Sequence, residues 1–418
     1  MHTMLIGGTL MLPAPDRTIR FARGTVRIED RTITAVEETD ALTNLDLGSD
    51  EHLICPGFID THLHLPQFDS IGIDGLELLD WLDRVIFPAE TRWEDAEYAG
   101  AMTERVLDQL ASFGTTSFAA YATVHHEATR RAIDAVKARG IRAMVGQVLM
   151  DRNAPTELVR PFRQLIREAK ALFDDAGGRV EVAVTPRFAV SCSGDLLEAS
   201  GQLRMTTGAP VQTHLAETRR ECALIGELFD GMPYTEVYRG SGLLGPRSIL
   251  GHGIWLDDDD RTMLAESGSI IAHCPTANLF LDAGRHDRAG SLAAGVTVTL
   301  GSDVAGGPDR SMVRVAQAMI ETAKNRGDTP PTASQAWYQI TRGNAEALGW
   351  GGSGMQAAGA ETGGVGTLMP GTEADLLVIR PTIDWQHTED PAGTLLYAWD
   401  DRWLDRTIID GRPAWLCE

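Results

Sequence analysis

The alternation of apolar runs and helical patterns along this chain predicts an α/β fold: a (β/α)8 TIM-like barrel with a small β-sandwich domain formed by both chain termini. Three observations carry that expectation. From residue 58 onward, strand-like runs alternate with amphipathic stretches, and about eight β/α units can be counted, the number such a barrel needs. The two ends carry short β segments without helices between them. No Gly-x-Gly-x-x-Gly opens a helix after the first strand, which disfavours an open doubly wound sheet.

Within residues 1–57, segments 3–6, 24–29 and 32–36 read as strands separated by charged and glycine-containing turns. The barrel is expected over residues 58–360. Its strands are predicted at 58–60, 115–120, 142–149, 180–184, 211–213, 248–250, 269–271 and 296–300. Helical spacing of apolar residues falls at 94–113, 128–139, 161–173, 218–229, 258–266 and 311–325. Residues 351–366 are rich in glycine and alanine and read as a loop. Beyond it, 376–379 and 406–409 are again strand-like. Neither end is long enough to fold alone, so residues 1–57 and 361–418 are expected to pack together as one small β domain beside the barrel.

Composition narrows the function classes. With 418 residues, 43% of them hydrophobic, the chain can bury a large core. A formal net charge of −22 argues against nucleic acid or an anionic membrane as partner, since both require positive surface. No run of 18 apolar residues is present, so no membrane span is expected. The first ten residues lack a basic segment followed by an apolar core, so no secretory signal is expected. The five cysteines are odd in number, scattered, and never spaced Cys-x-x-Cys, as in a reduced, cytoplasmic chain.

The chemistry-bearing residues fall at the ends of the predicted strands. His62 and His64 are two apart, and on a strand such residues point to the same side. His214 follows Val211-Gln212-Thr213, His252 follows Ile249-Leu250-Gly251, and Asp303 follows Thr297–Ser302. Barrel strands all end on one face, so these residues converge there. Imidazoles and a carboxylate together suit Zn²⁺, with one position left for a water whose pKa falls to about 7. Each residue also has a bland reading. A lone histidine at a strand end is commonly a hydrogen-bonded core residue. Asp303 lies too far from the helix expected near Ser311 to cap it. Glu217, three residues after His214, is either a first-turn glutamate or a general acid/base beside the site. His125-His126-Glu127 lacks the Pro-Cys-x-x-Cys of another zinc signature. Asp257–Asp260 reads as a helix start, Gly306-Gly307-Pro308 lacks the Lys-Ser/Thr of a phosphate loop, and Trp337, Trp385 and Trp399 read as packing residues.

With these motifs in hand, the chain resembles the amidohydrolase superfamily through Pro56-Gly57-Phe58-Ile59-Asp60-Thr61-His62-Leu63-His64, His214-Leu215-Ala216-Glu217, Gly251-His252-Gly253 and Gly301-Ser302-Asp303-Val304. It resembles the guanine deaminases within it through Pro66-Gln67-Phe68, Phe87-Pro88-Ala89-Glu90, Pro186-Arg187-Phe188 and His273-Cys274-Pro275. The resemblance implies one Zn²⁺ per subunit held by His62, His64, His214 and Asp303, with catalytic roles for Glu217, His252 and Asp303. His252 would orient the water, Glu217 would shuttle protons and Asp303 would act as base. It implies a small-molecule purine substrate contacted by His64, Gln67, Arg187, Phe188, His214 and Glu217, conversion of guanine to xanthine and ammonia, and a homodimer. Two alternatives stay open at this point: another aminated heterocycle (triazine, pterin or oxidised guanine), and a metal-free scaffold that keeps the fold. Arg187 also has a rival role as a barrel-rim salt bridge, and Gln67 as a loop cap.

Overall fold

The structure, a computed structural model, describes residues 3–352 and 363–416. The runs expected to be barrel strands form two four-stranded parallel sheets. One holds Phe58–His64, Thr115–Tyr121, Arg142–Gly146 and Val180–Val182. The other holds Val211–Leu215, Ser248–His252, Ile270–His273 and Thr297–Leu300. Two seams join them. Val184 bridges Val211 in parallel. On the opposite side the Asp303 amide donates to the His62 carbonyl at 2.8 Å and the His64 amide to the Val304 carbonyl at 3.1 Å. The eight strands thus close on themselves. Every residue of Phe58–His64 and Thr115–Tyr121 is buried, as expected when helices cover one face of a parallel barrel and side chains fill the other.

The expected helices form as Ala96–Ser112, His126–Ala138, Phe162–Ala171, Arg219–Leu228, Asp258–Ser267 and Met312–Arg326. Their starts follow side-chain capping. The Asp95 carboxylate accepts from the Glu97 and Tyr98 amides, and Thr218 and Asp257 each head a reciprocal capping box. The acidic run at 257–260 is therefore a helix start. A helix over Gly194–Thr207 has no counterpart in the sequence reading. Its two glycines and weak amphipathic pattern hide it. Gly201 is there for packing, because a Cβ would lie 1.8 Å from the Ser241 carbonyl oxygen.

Both chain ends join one seven-stranded sheet, in the order Arg412–Leu416, Leu404–Ile409, Leu376–Ile379, Leu47–Pro56, Thr3–Pro13, Ile19–Glu29, Thr32–Glu38. The central pairing is between ends: Leu376–Ile379 runs antiparallel to Leu47–Pro56. Alternate residues serve two cores. Ile6, Leu10, Val26, Ile54, Leu376, Val378 and Ile408 pack together inside the curled sheet. Leu53, Cys55, Leu377 and Ile379 face Met312, Met319, Trp337, Trp385 and Trp399 on the barrel side. The tryptophans are packing residues. The first two strands are far longer than expected, because Thr3–Pro13 and Ile19–Glu29 pair along their whole length. Of the glycine-rich stretch 351–366, residues 353–362 lie outside the described residues. Cys55, Cys192, Cys222 and Cys274 are free thiols. Among the described residues no helix is long and apolar enough to cross a membrane.

A buried ionic cluster ties the small sheet to the barrel. Arg179 meets Glu373 at 2.6 Å and Asp375 at 3.1 Å, and Arg142 Nε reaches Glu373 at 3.1 Å. Asp410 lies 3.7 Å from Arg179. Removing one partner of such a cluster leaves uncompensated buried charge, at a cost of about 3–5 kcal/mol. Arg179→Met is accordingly expected to lower unfolding stability by about that amount, read as a shifted urea midpoint.

Candidate active site

The C-terminal ends of four strands bring His62, His64, His214, His252 and Asp303 to one point. Side-chain donor atoms of His62, His214, His252 and Asp303 lie within 4.8 Å of one another. His64 belongs to the same cage, its Nε2 3.1 Å from His214 Nε2 and 3.3 Å from Asp303 Oδ1. His62 Nε2 is also 3.3 Å from Asp303 Oδ1. His252 Nε2 lies 3.8 Å from Asp303 Oδ2 and 3.4 Å from Glu217 Oε2.

The backbone bends sharply where these side chains are aimed. Ala216, His252 and Asp303 have φ of 49°, 69° and 51°, left-handed conformations that cost a non-glycine residue energy and cluster at functional sites. Two glycines make the room. A Cβ on Gly251 would lie 2.7 Å from His62 Cε1, and one on Gly301 would lie 2.6 Å from His62 Cβ and 2.9 Å from its amide nitrogen. A Cβ on Gly306 would likewise lie 2.6 Å from Asp303 Oδ2, and one on Gly307 would run into the Ser302 carbonyl oxygen, so the Gly306-Gly307 pair is a packing device.

Neighbouring groups fix which nitrogen faces the centre. His214 Nδ1 donates to the Arg187 carbonyl at 2.6 Å, and His252 Nδ1 donates to Asn278 Oδ1 at 2.9 Å. Each leaves Nε2 with its lone pair inward, the orientation typical of metal-binding histidines. Asp60, fully buried, accepts from the Ser302 amide at 3.0 Å and the His62 amide at 3.1 Å. It ties the first strand to the loop that carries Asp303. Burial pushes the Asp60 carboxyl up to about 6 despite those hydrogen bonds.

The electrostatics suit a cation. Burial holds His64 down to about 4. Burial, then the neighbouring His62 and His64, hold His214 well below its ordinary range. Both rings are neutral, the form that binds metal. Burial alone would raise Asp303, but the adjacent His62 and His64 imidazoles outweigh it and hold the carboxyl well below the usual carboxylate range. His62 Nε2 has no hydrogen-bond partner among the described residues. Four ligand atoms held at about 2.0–2.1 Å around one ion sit about 3.3 Å apart, which matches the spacings to Asp303. The residues therefore fit a divalent metal.

Glu217 stands apart from this group electrically. Its backbone amide is taken by the Glu221 carboxylate at 2.8 Å, and the helix is capped by Thr218 with Glu221, not by Glu217. Burial, then repulsion from Asp303, push the Glu217 carboxyl well above its ordinary range. Two neighbouring carboxyls with opposed shifts can serve as acid and base in one site.

These residues form one wall of a cavity of about 370 Å³, its open mouth included, also lined by Gln67, Trp81, Arg187, Phe188 and Leu281. Every site residue singled out in the sequence reaches this cavity or its metal-binding edge. Sequence reasoning missed four supports: Asp60, Glu90, Asn278 and the pair Gly251 and Gly301. Glu90 lay inside a quoted motif and Asn278 just beyond one, but neither carried a spacing signal. Asp60 alternates with His62 on the strand, which could have flagged it. Arg187 forms the salt bridge anticipated as its rival role, Nη1 meeting both Glu90 oxygens at 2.6 and 2.7 Å, yet it also lines the cavity. His126 instead opens a helix and bonds Gln147 at 3.1 Å, away from the cage.

Barrel, appended terminal sheet and histidine–aspartate cage define a metal-dependent hydrolase of the amidohydrolase type. The Amidohydrolase family pattern matches residues 53–414, and the chain belongs to that family. Among curated relatives, the guanine deaminase of Dictyostelium discoideum is 32% identical over 386 residues, covering 88% of this chain and 83% of its own. That of Escherichia coli (strain K12) is 32% identical over 373 residues, covering 86% and 82%. Among solved structures, E. coli guanine deaminase superposes with a TM-score of 0.92 at 29% identity, over 99% of this chain and 100% of that one. A guanine deaminase from C. acetobutylicum with bound guanine in its active site gives 0.89 at 26% identity, over 99% and 100%.

Gly301→Ala is expected to force the His62 backbone outward and cut bound metal to well below one equivalent while the chain stays folded. Elemental analysis alongside circular dichroism checks this.

Proposed function

We propose that the chain is a guanine deaminase, converting guanine and water to xanthine and ammonia, with one Zn²⁺ per subunit. The observation that carries this reading is the meeting, in one cavity, of the histidine–aspartate cage, the elevated Glu217 carboxyl and the Gln67–Arg187 pair. His62, His64, His214 and Asp303 would hold the metal, with His252 at its edge. When bound, the metal supplies Lewis acidity and lowers the pKa of a water.

The residues then divide the work. Arg187, a donor without acceptors, faces the O6 side of the purine, and Phe188 lies along the ring. His64, His214 and Glu217 border the reacting end. Water adds to C2, and its proton passes to Asp303, which its neighbours keep ionised. Glu217, kept protonated by burial, delivers its proton to N3. Asp303 then hands its proton to the amino group, which leaves as ammonia. Glu217 recovers one from the C2 hydroxyl, giving xanthine and restoring both carboxyls. His252 orients the water and supports the tetrahedral carbon. The resemblance to guanine deaminases further supports a cytoplasmic homodimer.

Elemental analysis with a guanine-to-xanthine absorbance assay tests the reading. Zinc near one equivalent and guanine turnover are expected. Turnover of a triazine or pterin but not guanine would overturn the substrate. Glu217→Gln is expected to keep its metal and lose about 10²–10⁴-fold in kcat, the usual worth of a general acid/base. Asp303→Ala is expected to lose both metal and rate, measured by the same pair of assays.

A further inference from the structure

Glu90 is not part of the cage or the cavity lining, yet it holds two of the polar side chains that line the cavity. It is 1% exposed, and Gln67 and Arg187 are 2% and 3% exposed. One Glu90 oxygen accepts from Gln67 Nε2 at 2.9 Å, and both accept from Arg187 Nη1 at 2.6 and 2.7 Å. A carboxylate paired with a guanidinium can only accept, so the Gln67 amide must turn its NH₂ toward Glu90. Its carbonyl oxygen is left facing the cavity, with no hydrogen bond among the described residues. Arg187 likewise keeps Nε and Nη2 free of hydrogen bonds among the described residues, beside the same cavity.

We infer that Glu90 is a specificity-determining positioning residue: by fixing the Gln67 amide in one sense, it makes the site read a ring N–H beside a ring carbonyl. The inference rests on the guanine reading above and deepens it. Guanine offers N1–H next to O6, so the Gln67 carbonyl meets a donor and Arg187 meets an acceptor. 2,6-Diaminopurine carries the same C2 amino group but presents an N1 lone pair and a C6 amino group. Both contacts then become mismatched, acceptor against acceptor and donor against donor. Unpaired buried polar groups are where a site built to hydrogen-bond discriminates most strongly. A free amide could rotate to relieve one of the two mismatches. An amide tied to a carboxylate cannot.

The test compares kcat/KM for guanine and 2,6-diaminopurine in wild-type enzyme and in Glu90→Gln, with metal content measured in each. Wild type is expected to prefer guanine by at least about 100-fold, and Glu90→Gln to narrow that ratio by at least about tenfold, chiefly through KM for guanine, with metal retained. Equal losses on both substrates, leaving the ratio unchanged, would make Glu90 merely structural and overturn the inference. If Glu90→Gln loses its metal or fold, the wild-type comparison decides: equal use of the two purines overturns the fixed amide, and strong preference for guanine upholds it. Wild type that ignores guanine altogether would instead overturn the proposed function, a distinct result.

Discussion

The structure depends on one crowded point, where four imidazoles and two carboxyls are buried with their lone pairs turned inward. Their burial leaves little room for solvent. Without a cation, facing imidazole nitrogens 3.1 Å apart and an ionised Asp303 would carry uncompensated desolvation and repulsion. A divalent ion held by the cage would offset these liabilities.

Getting the side chains there needs strand ends. A parallel barrel delivers residues from positions 62 to 303 to one rim, but a regular strand would point alternate residues away. The left-handed turns at Ala216, His252 and Asp303 re-aim the chain just as each strand finishes. Gly251 and Gly301 remove the atoms that would otherwise occupy the space of the His62 ring and backbone. Local strain and missing side chains are thus placed where the burial of the rest of the barrel can offset them.

Much of this was legible in the sequence, and the boundary has physical causes. All eight barrel strands were placed because a continuous apolar run reports burial on both faces. The convergence of the cage residues was legible because strand ends share a rim, so a histidine there had a destination. The helix over Gly194–Thr207 was not legible, since its face is set by close backbone packing at Gly201 and not by apolar periodicity. The long hairpin of the first two strands was shortened for a similar reason, its pairing decided by a partner strand. Asn278 and Glu90 act through another side chain, His252 in one case and Gln67 with Arg187 in the other. No spacing rule within a sequence reports such a contact.

Closure of the barrel and assembly of the cage are the same event. The hydrogen bonds that join the eighth strand to the first run through the His62 carbonyl, the His64 amide, the Asp303 amide and, behind them, Asp60 and Ser302. The two histidines of the first strand and the carboxylate that follows the eighth are therefore positioned by the same seam. Any ligand that binds the completed cage stabilises that seam by mass action, by about 2.7 kcal/mol at a hundredfold excess over its dissociation constant. The small terminal sheet acts on the same seam from below. Its central strand Leu47–Pro56 runs directly into the strand bearing His62 and His64, and Leu377 and Ile379 beside it pack on the helix that follows Asp303. The chain's two ends thereby help set the distance between His62 and Asp303.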